Sequence, residues 1–369
     1  MIKVLHIIKS LGRGGAEMLL QETLKYHNKQ EFEFHYLYFL PWKDQMVAGI
    51  KKNGGIINNF PAKNNIYIML QVPKIIKYIK QNKIQLIHCH LPWAGFVGRI
   101  IYKLTGIPVV YSEHNKQERY HSITKVLNKF TFNWQTKAIA VSGDVAESIG
   151  KNIHPKIPVQ TILNGVATDF FLRDEQAAKE LKIKYNIDPN AFIIGTIAVF
   201  RFQKRIKEWI TVFKSLEQKY PGIRGIIVGD GQLKDELLSF IKEQGMEEKI
   251  VVPGLQTEVK PWLSSMDIFM MSSLFEGLPI ALLEAMSMEC AVVCTDAGGI
   301  PELIRSGEDG FLVPVDEWQK LELPVSNLIE NRDELNKFKF SARRRVIESF
   351  SIKNMVEETE KMYKEILSK

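Results

Sequence analysis

The chain is short of the residues and patterns that mark several large functional classes. Only three cysteines occur in 369 residues, Cys89, Cys290 and Cys294. They are too few for a disulfide framework and wrongly spaced for zinc, and they suit a reducing compartment, so a cytoplasmic location is expected. No run of about eighteen apolar residues exists, so no bilayer-spanning helix is expected. The apolar start Met1–Ile8 is broken early by Lys9 and the glycines beyond it, and no small-residue cleavage site follows. A buried first strand is the expectation there, not a secretory leader. Asp-x-Asp is absent, so a metal-bridged nucleotide diphosphate has no support. P-loop lysines and nucleophile elbows are absent too.

What remains is an ordinary globular composition, 45% hydrophobic and 25% charged, which argues against disorder. A chain of this length exceeds what one core usually fills, so two domains are expected. Charge is unevenly spread. Residues 1–168 hold 22 Lys+Arg against 9 Asp+Glu, whereas the remainder holds 27 against 33. The first half therefore either faces something anionic or carries a solvated lysine-rich surface.

Short apolar runs alternate with helical periodicity in both halves, the pattern of doubly wound parallel sheets. Expected strands in the first half are Lys3–Ile8, Phe34–Phe39, Ile84–His88, Pro108–Ser112 and Ala138–Val141. In the second they are Ile193–Val199, Ile223–Val228, Ile250–Val252, Ile268–Met271 and Ala291–Thr295. The expected domains are 1–168 and 169–351, with the charged amphipathic helix Ile352–Leu367 packing back on the first.

Ligands of such sheets bind beyond the carboxyl ends of the strands, which directs attention to five loops. Gly12-Arg13-Gly14-Gly15 before Glu17 is either a tight turn or an anion-binding helix start, and it is not G-x-G-x-x-G. Arg201-Phe202-Gln203-Lys204-Arg205 places three cations after a buried strand, where a phosphate fits better than solvent. Ser272–Pro279 leads into a helix apolar on every side, with Pro279 expected as its first residue. Amides of Gly277 and Leu278 would face the ligand. Glu284, inside that helix, is either a surface carboxylate of an ordinary helix or, since the helix has little solvent face, a buried carboxylate in need of donors such as ribose hydroxyls. Gly298-Gly299 repeats the strand–glycine–proline pattern, and Gly229-Asp230-Gly231 would let a flat ring approach the backbone. His88 and His90 either pack and hydrogen-bond or bind a metal, and no nearby carboxylate completes a site.

In order and context these loops resemble the retaining glycosyltransferases of family 4. The residues concerned are Gly14-Gly15-Ala16-Glu17, Asn164-Gly165-Val166 to Asp169, Gln203-Lys204, Gly229-Asp230-Gly231, Glu276-x7-Glu284, Gly298-Gly299-Ile300-Pro301-Glu302 and Asp309-Gly310. The resemblance covers nearly the whole chain. It implies a GT-B fold, two Rossmann-like domains with a nucleotide-sugar between them, and hexosyl transfer to a glycan or lipid-linked hydroxyl in bacterial surface polysaccharide synthesis. A UDP-linked donor is the commonest expectation. It implies Lys204 on the donor diphosphate, Glu276 on a sugar hydroxyl, Glu284 on the ribose, amides near Gly15 and Gly277 on phosphate, and His114 near the transferred sugar. The family's arginine position is Val199 here, and Arg201 is expected to reach the same phosphate differently. No metal or cofactor is expected, and front-face substitution is the favoured mechanism.

On the acceptor side, Lys116, Arg119, Lys125 and Lys129 alternate with Tyr120, Ile123, Val126, Leu127, Phe130, Phe132 and Trp134. This segment either meets an anionic bilayer as a peripheral contact or packs its apolar stripe on the sheet. A nucleotide-sugar epimerase, a phosphorylase and a non-catalytic polyanion binder are the competing functions. No pyridoxal lysine motif supports the phosphorylase. The matched loops lie in the acidic half, which argues against a nucleic-acid partner.

Overall fold

A computed structural model describes residues 1–12 and 14–368. The chain divides into two compact units, Met1–Asn164 with Ile352–Lys369, and Gly165–Ser351. The crossover therefore falls at Asn164–Gly165, not after residue 168.

The first unit holds seven parallel strands: β1 (Ile2–Ile7), β2 (Phe32–Tyr38), β3 (Ile56–Asn59), β4 (Leu86–His90), β5 (Val109–Glu113), β6 (Lys137–Ala140) and β7 (Val159–Thr161). Their spatial order is β3-β2-β1-β4-β5-β6-β7. The second unit holds β8 (Ile193–Ile197), β9 (Arg224–Val228), β10 (Ile250–Gly254), β11 (Ile268–Met271), β12 (Ala291–Thr295) and β13 (Phe311–Val313), ordered β10-β9-β8-β11-β12-β13. Both sheets follow the dinucleotide-binding order, with a switch point between β1 and β4 in one and between β8 and β11 in the other.

Parallel strands covered on both faces must be apolar on both, and the period of two sorts their side chains between two cores. Leu5, Ile7, Ile87, Cys89, Val109 and Tyr111 point to one core of the first unit. Val4, Leu86 and Val110 point to the other, together with Met362 and Tyr363 of the C-terminal helix Ile352–Leu367. That helix is fixed further by His27 Nδ1 at 2.8 Å from Glu360 Oε1, which also accepts from the Asn28 amide at 2.8 Å.

Three strands escape a reading by apolar runs: β3, β7 and β13. Each has three or four residues, and each lies at a sheet edge. An edge strand has one ladder neighbour and a partly open face, so its sequence carries little hydrophobic signal. The strand expected at Ile84–His88 is β4, Leu86–His90, which puts His90 inside the sheet. Pro279 caps the helix Ile280–Ser287 in an extended conformation and is not its first residue.

Candidate functional site

At the switch point of the second sheet, the loops after β8 and β11 are bonded to each other. The Leu274 amide donates to Gln203 O at 2.8 Å, and Ser272 Oγ donates to Arg205 O at 2.7 Å. This brings Lys204 Nζ to 2.5 Å from Glu276 Oε1, which also accepts from Ser273 Oγ at 2.6 Å. The Glu276 side chain is 7% exposed and that of Lys204 16%. Water screens such a pair poorly, and removing one partner strands a buried charge. Both bonds to Glu276 use Oε1, and one contact leaves the ammonium with donors to spare. The pair therefore keeps a donor group and an acceptor group available at the ligand end of the sheet.

A second turn braces the first. Gly298 has φ +60°, and a Cβ there would lie 2.0 Å from Glu276 O, while the Gly299 amide donates to Gly277 O at 3.0 Å. Thr295 Oγ1 donates to Ser273 O at 2.6 Å. Leu278 is buried, and so is Glu284 in a helix whose residues Leu282–Ser287 are all buried. The three cations after β8 diverge. Lys204 takes the pair, Arg205 turns to Val315 O at 2.7 Å, and Arg201 is exposed. Gly229, at φ +146°, lies so near Ala198 O that a Cβ would come within 1.8 Å. Its missing side chain makes room for this chain's own backbone.

In the first unit, Gly14 caps the helix Gly15–Tyr26 without a side-chain bond. A Cβ on Gly14 would lie 2.3 Å from Glu17 Oε2, and Ser10 Oγ donates to Glu17 Oε1 at 3.1 Å. The carboxylate curls over the helix start, so the anion beside these glycines is the chain's own. Arg13 lies outside the described residues.

At the switch point between β1 and β4, parallel register pairs His6 with His88 and His90 with Ser112. His6, His27, His88, His90, His114 and Tyr363 help line a cavity of about 40 Å³, room for one or a few waters. The nitrogens of His6, His88 and His90 lie within 4.8 Å of one another, close enough to suggest a metal. Their bonds favour a hydrogen-bonded cluster instead. His6 Nδ1 lies 2.9 Å from His90 Nε2, while His88 meets Tyr363 OH at 2.5 Å through Nδ1 and Ser112 Oγ at 2.7 Å through Nε2. With both nitrogens engaged, His88 has no lone pair to give. Among the described residues, Nε2 of His6 and of His114 have no hydrogen-bond partner and are buried.

On the opposite face, Glu113 ends β5 fully buried. Its carboxylate accepts from the amides of His114 and Asn115 at 3.1 and 3.3 Å, from Tyr111 OH at 2.9 Å, from Gln117 Nε2 at 2.6 Å and from Tyr120 OH. Neither Glu113 nor Tyr363 was singled out from sequence. Glu113 stands beside His114, and a lone carboxylate closing an apolar strand was the available signal. Tyr363 meets His88 across 275 positions, which local patterns do not encode.

Two parallel sheets in dinucleotide-binding order, each with polar side chains gathered at its switch point, define a two-domain α/β protein of the GT-B class. Residues 13–170 match Glycosyltransferase Family 4, and residues 177–345 match Glycosyl transferases group 1. The chain is similar to the UDP-Gal:alpha-D-GlcNAc-diphosphoundecaprenol alpha-1,3-galactosyltransferase of Escherichia coli, at 24% identity over 80% of this chain and 79% of that one. It is 38% identical over 113 residues to the N-acetylgalactosamine-N,N'-diacetylbacillosaminyl-diphospho-undecaprenol 4-alpha-N-acetylgalactosaminyltransferase of Campylobacter jejuni, covering 30% of this chain and 31% of that one. In structure it is similar to Anabaena HepE in complex with UDP and glucose, with TM-score 0.88 and 20% identity over 99% of this chain and 100% of that one. The chain belongs to the group 1 glycosyl transferases of glycosyltransferase family 4, and it is a glycosyltransferase.

The histidine cluster makes stability depend on pH. Burial pulls His88 down to about 3 and His114 to about 4, and lowers His6, His90 and His27 below the ordinary 6.5. These rings stay neutral in the folded chain and take protons near 6.5 when unfolded, so the stability they confer is present above 6.5 and lost as pH falls toward the folded values. Each contributes up to roughly 1.4 kcal/mol per pH unit in that window. Urea unfolding should show the midpoint dropping between pH 6.5 and 5, with a shallower drop in His90→Asn; a flat midpoint there would contradict the assignment.

Proposed function

We propose that the protein is a retaining, metal-independent glycosyltransferase. It moves a sugar from a UDP-sugar to a hydroxyl of a glycan or lipid-linked acceptor in surface polysaccharide synthesis. The observation that carries this reading is the part-buried Lys204–Glu276 pair at the switch point of the second sheet. UDP is favoured because the HepE structure holds UDP and glucose and the Escherichia coli relative is named for UDP-Gal. A lipid-linked acceptor is favoured because both relatives are named for diphosphoundecaprenol-linked compounds.

As the bond from C1 to the diphosphate oxygen breaks, negative charge grows on the leaving group and C1 becomes oxocarbenium-like. In this reading Lys204 and the exposed Arg201 neutralise the diphosphate, and the amides of Gly277 and Leu278 at the helix start add to them. Gly14 and Gly15 would contribute amides on the first unit once Glu17 yields its place. Gly229 flanks the base, Glu284 accepts from the ribose hydroxyls, and Glu276 accepts from a sugar hydroxyl while holding Lys204. His114 meets the transferred sugar. Glu276 is tied to Lys204 and Ser273, which disfavours it as a nucleophile. Front-face substitution follows: the acceptor oxygen bonds to C1 on the face the phosphate leaves, and its proton passes to the departing phosphate oxygen. No cofactor is needed.

The acceptor side bears on location. The helix Ser122–Thr131 is inverted, because its buried residues are Thr124 and Asn128 while Ile123, Val126 and Phe130 are 72%, 52% and 74% exposed. Ile66, Tyr67 and Leu70 are also exposed, on the helix Asn65–Leu70, and both this helix and Ser122–Thr131 pack against the helix Pro92–Thr105. Exposed apolar side chains among Arg119, Lys125 and Lys129 suit an anionic bilayer surface, which supports peripheral association on the cytoplasmic face. No helix among the described residues is long and apolar enough to cross a membrane.

Turnover of UDP-sugars should fall about 10²- to 10³-fold in Lys204→Ala with weakened UDP binding, and wild-type turnover should survive EDTA with the anomeric configuration retained by NMR. Wild-type turnover in Lys204→Ala would refute the phosphate role. In vesicle sedimentation at low salt, the protein should favour phosphatidylglycerol over phosphatidylcholine, and Phe130→Ser with Ile123→Ser should abolish the preference. Equal partitioning of the wild type would rule out the membrane reading.

A further inference from the structure

The inverted helix poses a question of physics: why does it turn polar residues inward? Its buried face meets Arg99, which is fully buried among aromatic rings, its guanidinium 4.8 Å from the Tyr111 centroid and 5.0 Å from that of Phe132. Arg99 donates to Asn128 Oδ1 at 2.8 Å, to Thr131 Oγ1 at 3.0 Å and to Gln135 Oε1 at 2.9 Å. Asn128 Nδ2 in turn donates to Gln117 Oε1 at 3.0 Å, and Gln117 Nε2 donates to Glu113 Oε2 at 2.6 Å. The chain of bonds ends on Glu113, whose other oxygen receives the amides of His114 and Asn115 and the Tyr120 hydroxyl.

We propose that Glu113 is the positioning residue for His114: its carboxylate gathers the whole 114–120 turn and thereby fixes where the imidazole stands. Every group bonded to this carboxylate is a donor, five in all, and a group that only accepts is the one side chain that satisfies them together. A buried anion with several donors is high-stakes in the sense that any partner lost leaves an unsatisfied group beside the site. Arg99 supplies compensating positive charge across the Tyr111 ring without a direct ion pair. Burial raises the Glu113 carboxyl above its ordinary value while the bonds from Tyr120, Tyr111, the Asn115 amide and Gln117 oppose that rise. The backbone amide of Gln117, in the middle of the turn, donates separately to Ser148 Oγ at 2.8 Å, a hold independent of Glu113.

This inference rests on the reading of His114 as the group beside the transferred sugar, and the test separates the two. Glu113→Gln keeps the shape but sets an N–H against donors. Its kcat should fall about 10- to 100-fold, as expected of a displaced contact group, while the Kd for UDP stays within twofold. In a double-mutant cycle, Glu113→Gln should add little to the loss caused by His114→Ala, because both act through one imidazole. A folded Glu113→Gln enzyme with wild-type kcat, or losses that multiply in the double mutant, would overturn the inference. Should His114→Ala itself turn over like wild type, the histidine reading fails instead. If Glu113→Gln does not fold, Tyr120→Phe removes one donor from Oε1; a several-fold drop in kcat at constant Kd for UDP supports the inference, and an unchanged kcat overturns it.

Discussion

The second unit is organised around one electrostatic constraint: Lys204 and Glu276 are held against each other where water is scarce. Glu276, the more buried of the two, could not be left unpaired there without a desolvation penalty. The hydrogen bonds between their two loops, and the glycine turn at Gly298 pressed on the Glu276 carbonyl, serve to keep them in register. Preorganisation of this kind is what stabilising a leaving diphosphate requires, because charges already oriented need not be reorganised as the bond breaks. The parallel sheet makes the arrangement possible. At the switch between β8 and β11, the connections leaving two neighbouring strands run to opposite faces of the sheet, which leaves room for side chains between them.

The first unit solves a different problem with the same topology. Its sheet carries a polar network on each face, sorted by the period of two. Histidines and Tyr363 lie on one face, and Glu113 with the Arg99 relay lies on the other. Both reach the same turn at the end of β5, one through Ser112 and the other through the carboxylate of Glu113. His114 stands where the two meet. The C-terminal helix belongs to this device, because Tyr363 closes the histidine face.

Much of this was legible in the sequence where local patterning decides structure. The central strands read as apolar runs, Glu284 as a carboxylate with nowhere to go but inward, and Lys204 and Glu276 as residues at the ends of buried strands. The edge strands β3, β7 and β13 were not legible, since one open side relaxes the demand for apolar residues. The segment around Phe130 was readable as basic and aromatic, but its orientation was not. That depends on Arg99 lying beneath it, a contact 29 residues away along the chain that turns Asn128 inward. Gly229 is a related case. A glycine records that something comes close, not whether it is a ligand or, as here, the carbonyl of Ala198.

In the proposed function, the Lys204–Glu276 pair and Glu284 form a nucleoside diphosphate site. A crystal structure with UDP tests it most directly. A diphosphate oxygen should lie within about 3 Å of Lys204 Nζ, with both ribose hydroxyls on the Glu284 carboxylate. UDP bound elsewhere, with Lys204 still held by Glu276 alone, would contradict it.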